Sequence, residues 1–219
     1  MAQLYFRYGA MNSGKSTALL QAAFNYEERG MRVLVTKPAV DTKGADQIVS
    51  RLGVVRTVDF LVLQGSSLRE SFAQRASGRD PYSLVPDLDA ASQPVSCLLI
   101  DEAQFLSVEQ VEDALRIAVL DDVPVLAYGI RTDFQTRSFP GARRLFELAH
   151  NIEELKTICR CGRKALFNTR KLGDRFVFDG AQVAIDDDDG SQHTNVTYIS
   201  LCARCYLKER ERSGIPELS

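Results

Sequence analysis

Short apolar runs alternate with amphipathic stretches along the N-terminal part of the chain. The apolar runs are Leu4–Tyr8, Met31–Thr36, Val95–Ile100 and Val123–Tyr128. Each is short and bounded by glycine, proline or charged residues, which predicts a buried β-strand. The stretches with a helical period are Ser16–Arg29, Ser67–Ala76 and Ser107–Leu120. Strands that alternate with helices at this spacing predict an α/β fold, in which helices cover both faces of a parallel sheet.

The pattern is less regular in three other stretches. Residues 39–51 follow neither a helical nor a strand period, so we expect a mobile loop there. Residues 54–63 alternate loosely between β-branched and polar side chains. Residues 78–94 contain three prolines among Asp and Ser, which favours a surface connection. Because crossovers between parallel strands are right-handed, we expect ligands at the carboxyl ends of the strands.

A glycine-rich motif lies at the first strand-to-helix junction. It fits the phosphate-binding loop, with four residues between two glycines and then Lys and Ser: Gly9, Ala10, Met11, Asn12, Ser13, Gly14, Lys15 and Ser16. Such a loop turns backbone N–H groups toward a polyphosphate, and the following helix adds its positive dipole end. We expect Lys15 to neutralise the β- and γ-phosphates of ATP and Ser16 to coordinate Mg²⁺. The alternative is a glycine turn without a ligand.

An acidic motif follows the apolar strand that ends at Ile100. Asp101 stands where nucleotide-binding proteins place the acid that holds Mg²⁺. Glu102 is displaced by one position and cannot easily share that ion, so we expect it to act as a general base beside the γ-phosphate. With Ala103 and Gln104 these two residues complete the predicted ATP site. The alternative is a pair of exposed acids at a strand end.

The composition narrows the class of protein. With 45% hydrophobic and 26% charged residues, the 219-residue chain is expected to form one full core and a small additional lobe. The sequence has neither an apolar run of membrane-spanning length nor the pattern of an export signal, so we expect a cytoplasmic protein. A net charge of -2 gives no support for a broad nucleic-acid or membrane surface, which favours small-molecule partners.

Four of the five cysteines form two close pairs toward the C-terminus. The pairs are Cys159 with Cys161, and Cys202 with Cys205. Two such pairs predict a tetrahedral Zn²⁺ site filled by sulfur, which is structural because no position is open to water or substrate. Free buried cysteines are the alternative. The fifth, Cys97, lies within an apolar strand and is expected in the core.

The motif Asp101–Gln104 (DEAQ) also occurs in helicase motors, which keeps a nucleic-acid-driven ATPase open as an alternative. Such motors need two nucleotide-binding domains, or an oligomer with arginine fingers, and a basic track for the strand. The chain has room for one such domain, and its charge balance argues against the track. A nucleotide-gated regulatory protein that transfers no phosphate is a third possibility.

Taken in order, four motifs resemble those of one known family. They are the phosphate loop, Asp101–Phe105, the stretch Tyr128–Phe134 with Phe139–Gly141, and the paired cysteines. In this arrangement the chain resembles the type II thymidine kinases, the cytosolic family with a zinc-bound lobe. The resemblance implies a RecA-like P-loop NTPase fold with a parallel sheet flanked by helices, a small C-terminal zinc lobe and a lid loop. It also implies transfer of the γ-phosphate of ATP to the 5′-hydroxyl of thymidine or deoxyuridine, giving dTMP for DNA synthesis.

The resemblance further implies roles for individual residues. Glu102 matches the base that accepts the 5′-hydroxyl proton. The positions that match the nucleoside pocket are Met11, Phe105, Ile130, Phe134, Phe139, Asn168 and Tyr198. Without the resemblance, core packing is the alternative for each. The family also implies a homotetramer that is inhibited by dTTP.

The chain departs from the family pattern at its lid. The family places two glycines after Val-x-Ile, whereas this chain has Val183-Ala184-Ile185 followed by four aspartates and Gly190. Mutual repulsion of the four acids favours an extended, solvated loop. Arg131 also stands where many members carry an acid. We divide the chain into an α/β kinase domain, residues 1–150, and a zinc-binding lobe with the substrate lid, residues 151–219.

Overall fold

The computed structural model describes residues 1–41, 45–78, 93–180 and 196–215. The helices are α1 (Lys15–Glu27), α2 (Leu68–Ala76), α3 (Val108–Leu120), α4 (Pro140–Leu148) and α5 (Ala203–Arg212), with a 3₁₀ turn at Ala103–Phe105. The strands are β1 (Leu4–Tyr8), β2 (Arg32–Pro38), β3 (Gln47–Val49), β4 (Val55–Thr57), β5 (Phe60–Val62), β6 (Val95–Ile100), β7 (Val125–Gly129), β8 (Asn151–Glu154), β9 (Thr157–Ile158), β10 (Lys164–Ala165), β11 (Phe167–Leu172), β12 (Arg175–Val177) and β13 (Val196–Leu201).

A six-stranded sheet in the order β5-β2-β6-β7-β1-β8 forms the centre of the fold. All five neighbouring pairs are parallel, which confirms the predicted α/β class. The sheet extends past residue 150, because β8 pairs with β1 and places Ile152 beside Phe6. Because these strands are parallel, the carboxyl ends of β1, β6 and β7 lie at the same edge of the sheet. Each of the three strands continues there into a loop that carries polar residues.

Alternation along the strands divides the core into two layers. Leu4 and Phe6 point to the face covered by α2, α3 and α4, where Val111 and Leu145 are fully buried. The opposite face carries Cys97 among residues packed against α1, and this confirms its predicted place in the core. Each large apolar side chain buried in these layers stabilises the fold by about 1.5–3 kcal/mol.

The segment predicted as a mobile loop is partly a hairpin, so that prediction was wrong for its second half. β3 pairs antiparallel with β4. Ser50 N–H donates to the Val54 carbonyl at 2.8 Å, and Gly53 takes φ 83°, a conformation that favours glycine. The two strands have three residues each, too few for a sequence period to be recognised.

Several other boundaries differ from those predicted. Residues 54–63 form two strands, since β4 belongs to the hairpin while β5 joins the edge of the large sheet. Helix α1 ends at Glu27, and β2 continues to Pro38, which lies at the strand end where its missing N–H is tolerated. The predicted connection 78–94 falls almost entirely outside the described residues, and the lid 183–190 does so completely.

A small lobe follows the large sheet. It contains the antiparallel pair β9–β10, the three-stranded antiparallel sheet β12-β11-β13, and α5. Tyr206 of α5 is fully buried and stacks on Phe167 with ring centroids 4.9 Å apart. Among the residues that the structure describes, no helix combines the length and the apolarity needed to cross a bilayer.

Candidate active site

A cavity of about 930 Å³ is lined by the segments that follow β1, β6 and β7. Its lining includes all the side chains that the sequence matched to a nucleoside pocket: Met11, Phe105, Ile130, Phe134, Phe139, Asn168 and Tyr198. It also includes phosphate-loop residues and two residues of the acidic motif: Asn12, Gly14, Lys15, Ser16, Glu102 and Gln104. The remaining predicted ATP-site residues do not line the cavity: Gly9, Ala10, Ser13, Asp101 and Ala103.

The two glycines of the loop are required for different reasons. A Cβ at Gly9 would lie 2.3 Å from Ser13 Oγ and 2.5 Å from the Leu155 carbonyl oxygen, so only glycine fits there. Gly14 instead adopts φ 79° directly before α1, a left-handed conformation in which a side chain is strained. Gly9 N–H also donates to the Gly129 carbonyl at 3.2 Å, which fastens the loop to the end of β7.

Lys15 is buried at the start of α1 with 7% of its surface exposed. Its Nζ donates to the carbonyl oxygens of Ala10 and Gly9 at 3.1 and 3.4 Å. The ammonium group thus lies within the curl of the loop, at the N-terminus of a helix. Both features suit an anion, because a buried cation and a helix dipole attract the same charge.

Asp101 lies against the other side of the helix start. Ser16 Oγ donates to Asp101 Oδ2 at 3.0 Å, and Asp101 is 4% exposed. Its second oxygen, Oδ1, is buried without a hydrogen-bond partner. Burial, and secondly the charge of Glu102, raises the pKa of the Asp101 carboxyl to about 7. A divalent cation beside Ser16 would satisfy Oδ1 and offset the burial of the charge, so the pair fits Mg²⁺.

Glu102 has an unusual backbone conformation for its residue type. It takes φ 47° and ψ 38° between the end of β6 and the 3₁₀ turn, which costs about 1–2 kcal/mol in a residue with a Cβ. Its carboxylate accepts a hydrogen bond from Gln104 Nε2 at 2.5 Å. Gln104 Oε1 in turn accepts from Ile130 N–H at 3.1 Å, and this bond sets the orientation of the amide. Strain of this kind concentrates at functional sites.

Aromatic side chains form the apolar wall of the cavity. Phe105 and Phe139 meet edge to face with ring centroids 5.3 Å apart. Phe134 is 1% exposed, with the guanidinium of Arg170 4.0 Å from its ring centroid. A slot of this kind suits a flat, largely apolar ring with polar groups at its margin.

Asn168 has structural partners at both ends of its side chain. Oδ1 accepts from Met11 N–H at 2.7 Å, and Nδ2 donates to the Thr132 carbonyl at 2.8 Å. The side chain is 3% exposed. The residue lines the cavity, but its amide joins the phosphate loop to the segment after β7, a role that the sequence did not indicate.

The four paired cysteines come together at one point of the small lobe. The Sγ atoms of Cys159, Cys161, Cys202 and Cys205 all lie within 4.8 Å of one another. A tetrahedral zinc ion with Zn–S bonds of about 2.3 Å places its sulfurs about 3.8 Å apart, so the cluster could hold a metal. Gly162 permits the turn after the first pair with φ 82°. The Cys205 backbone N–H lowers the pKa of the Cys202 thiol, whereas the hydrogen bond with Cys161 raises the pKa of the Cys205 thiol to about 12.

Several residues that line the cavity were not predicted from the sequence. Val49, Arg51 and Leu52 of the β3–β4 hairpin line it, as does Asp133. The hydrophobicity of Leu52 did not predict a place at the site, and in the structure the residue is 77% exposed. The combination of Gly53 with β-branched residues on its C-terminal side was the available signal for a hairpin.

The fold and the site together define a phosphate-loop nucleotide-binding protein of the α/β class with a cysteine-clustered lobe. Comparison with known proteins gives the family. A family model described as thymidine kinase matches residues 2–206. The chain therefore belongs to the thymidine kinase family.

Individual relatives agree over nearly the whole chain. A thymidine kinase of Ruegeria pomeroyi is 43% identical over 218 residues, which is 99% of this chain and 98% of that protein. One of Shewanella oneidensis is 44% identical over 93% of this chain and 96% of its own length. The thymidine kinase of Enterobacteria phage T4 is 39% identical over 98% of this chain and its own entire length.

Proposed function

We propose that the chain transfers the γ-phosphate of ATP to the 5′-hydroxyl of thymidine or deoxyuridine, with Glu102 as the general base. The observation that carries the proposal is the position of Glu102. A strained residue at the end of β6 holds its carboxylate in a cavity whose lining also includes the phosphate loop and an aromatic slot. Membership of the thymidine kinase family supports the choice of substrate.

The reaction divides between three parts of the site. The curled loop and Lys15 bind the triphosphate of ATP, and the aromatic slot holds the pyrimidine. Glu102 accepts the proton of the 5′-hydroxyl while that oxygen attacks the γ-phosphorus. The bond from the γ-phosphorus to the β,γ-bridging oxygen breaks, and ADP leaves with the electron pair. Gln104 keeps the Glu102 carboxylate in place through its hydrogen bond.

Ser16 and Asp101 are the residues proposed to hold Mg²⁺. The orphaned Oδ1 of Asp101 and the hydrogen bond between the two side chains support this assignment. When bound, the ion neutralises charge on the β- and γ-phosphates. Cys159, Cys161, Cys202 and Cys205 are proposed to hold a structural Zn²⁺, which would contribute to the folding of the small lobe.

The division into an α/β domain and a zinc lobe with its lid is likewise a proposal, with the boundary predicted at residue 150 (1–150 and 151–219) moved to the end of β8, because β8 belongs to the large sheet. So are the homotetramer, inhibition by dTTP and a cytoplasmic location. Each follows from the family resemblance or from the sequence alone. Sedimentation of the purified protein and inhibition of its activity by dTTP would test the assembly and the inhibitor separately.

A panel of nucleosides incubated with γ-labelled ATP and the purified protein tests the main proposal. We expect label on thymidine, deoxyuridine or both, and none on deoxycytidine or purine nucleosides. Transfer to none of them would contradict the proposal. ATP hydrolysis that requires added DNA would instead support the nucleic-acid-driven ATPase that DEAQ left open.

A further inference from the structure

Two side chains of the small lobe hold both polar backbone groups of Met11. Its N–H donates to Asn168 Oδ1 at 2.7 Å. Its carbonyl oxygen accepts a hydrogen bond from Ser200 Oγ. Met11 lies in the phosphate loop. Two hydrogen bonds therefore connect the loop proposed to bind ATP to a lobe more than 150 residues away in sequence.

The strand register places the two residues that make these contacts next to each other in the lobe. Asn168 on β11 is the direct cross-strand partner of Ser200 on β13. Cross-strand partners point to the same face of a sheet with Cβ atoms about 4.5–5.5 Å apart. A donor and an acceptor are thus presented side by side to one residue of the loop. Both side chains are buried, at 3% and 6% exposure.

The loop also has an uncommon backbone conformation next to Met11. Asn12 takes φ 68°. Asn adopts this left-handed conformation more readily than most residues with a Cβ, so the contacts around it can hold it at a small cost. Thr157 of the small lobe adds a third contact, since its hydroxyl donates to the Asn12 carbonyl at 3.3 Å.

The elements that supply these contacts lead directly into the cysteine cluster. Ser200 precedes Cys202 by two residues, and Thr157 precedes Cys159 by two. The position of Asn168 is in turn fixed by its pairing with Ser200 and by its bond to Thr132. The hydrogen bonds from Asn168, Ser200 and Thr157 therefore make the conformation of the phosphate loop depend on the folding of the small lobe.

We propose that Asn168 and Ser200 are positioning residues for the phosphate loop, and that through them the small lobe sets the affinity for ATP. The inference rests on the proposed role of the loop in binding ATP. Asn168 itself lines the cavity, so Ser200 is the residue whose effect on the nucleotide is purely indirect. Ser200 does not line the cavity, whereas Met11 does, so loss of the Ser200 hydroxyl acts on the nucleotide through the backbone of Met11.

The test is the affinity of Ser200→Ala for a non-hydrolysable ATP analogue with Mg²⁺, measured by titration calorimetry on the full chain. Loss of one buried hydrogen bond to the loop should weaken binding about fivefold to tenfold. Ser200→Thr keeps the hydroxyl and should stay within twofold of the parent. If Ser200→Ala does not fold, Ser200→Cys, with similar volume and a weak donor, should show the same direction of change.

Thr169→Val is the matched control. Thr169 is buried on the adjacent position of β11, and its hydroxyl donates to the Ile199 carbonyl at 2.7 Å within the small sheet. The variant should lower the free energy of unfolding as Ser200→Ala does, yet leave the affinity within twofold. Equal losses of affinity in the two variants, or unchanged affinity in the Ser200 variants, would overturn the inference.

Lys15→Ala separates this inference from the proposed function. Weakened binding in Lys15→Ala with normal binding in Ser200→Ala would remove the positioning role and leave the ATP site intact. Unchanged affinity in Lys15→Ala would overturn both the ATP site and the inference, whatever the Ser200 variants do.

Discussion

Gln104 fixes the carboxylate of Glu102 from a position two residues further along the chain. Its Nε2 donates to Glu102 Oε2 at 2.5 Å, while its Oε1 is committed to the N–H of Ile130. Because the amide is held at its other end, it cannot rotate to present oxygen to the carboxylate. Ile130, directly after β7, thus sets the position of the Glu102 carboxylate, which is the group proposed to accept the proton.

Gln104→Leu should therefore lower kcat about tenfold and change the KM for ATP by less than threefold. The substitution removes both hydrogen bonds at similar volume, so the base loses its orientation while the phosphate loop is kept. Gln110→Leu is the control, because Gln110 is also buried and bonds the Leu63 and Ser66 carbonyls through its amide, away from the cavity. Equal kcat in the two variants would contradict the role of Gln104.

Glu102→Gln should cut kcat by about 10²-fold or more while the affinity for the ATP analogue stays within a few-fold. The amide keeps the size and the partner of the carboxylate but cannot accept the proton. Single-turnover kinetics together with calorimetric titration would separate the two effects. If affinity and turnover fell by the same factor, Glu102 would be a binding residue and the assignment of the base would be wrong.

Asp101→Asn should remove part of the pH dependence of stability in magnesium-free buffer. With a folded-state pKa of about 7 and an unfolded value of about 3.9, only the folded protein binds this proton between those limits. The free energy of unfolding therefore falls as pH rises from about 4 to 7. Asn does not titrate, so the variant should gain stability relative to the parent across this window.

Urea unfolding at a series of pH values between 4 and 8 measures the difference. Asp174→Asn serves as the control, because it makes the same exchange of residue type at a side chain that is fully exposed. A profile for Asp101→Asn that runs parallel to that of the parent would show that the buried carboxyl is not protonated in the folded state.

Cys205→Ser should release the metal and loosen the small lobe. A closed four-sulfur site loses one ligand, and a lobe of this size depends on the ion for much of its folding free energy. Atomic emission should find about one zinc per chain in the parent and in Cys97→Ala, whose sulfur lies in the large core, and much less in Cys205→Ser. A parent protein without zinc would end the assignment of the metal.

The sequence by itself determined those parts of the protein that depend on local pattern. The apolar runs gave β1, β2, β6 and β7, because buried parallel strands are apolar on both faces. The phosphate loop was recognisable because its glycines meet local steric requirements: Gly14 needs a positive φ, and a Cβ at Gly9 would collide with the Ser13 side chain four residues further on. The cysteine pairs were recognisable because two ligands close in sequence already define half of a metal site.

Only the tertiary structure decided which distant residues support these motifs. The hairpin of β3 and β4 forms because each strand pairs with the other, and three-residue strands carry no period of their own. The strained backbone of Glu102 is compatible with its sequence only because the surrounding fold holds it. The bonds from Asn168 and Ser200 to Met11 arise from the register of two strands in another lobe. A hydrogen bond between residues so far apart depends on how the elements pack, and side-chain pattern along the chain does not contain that information.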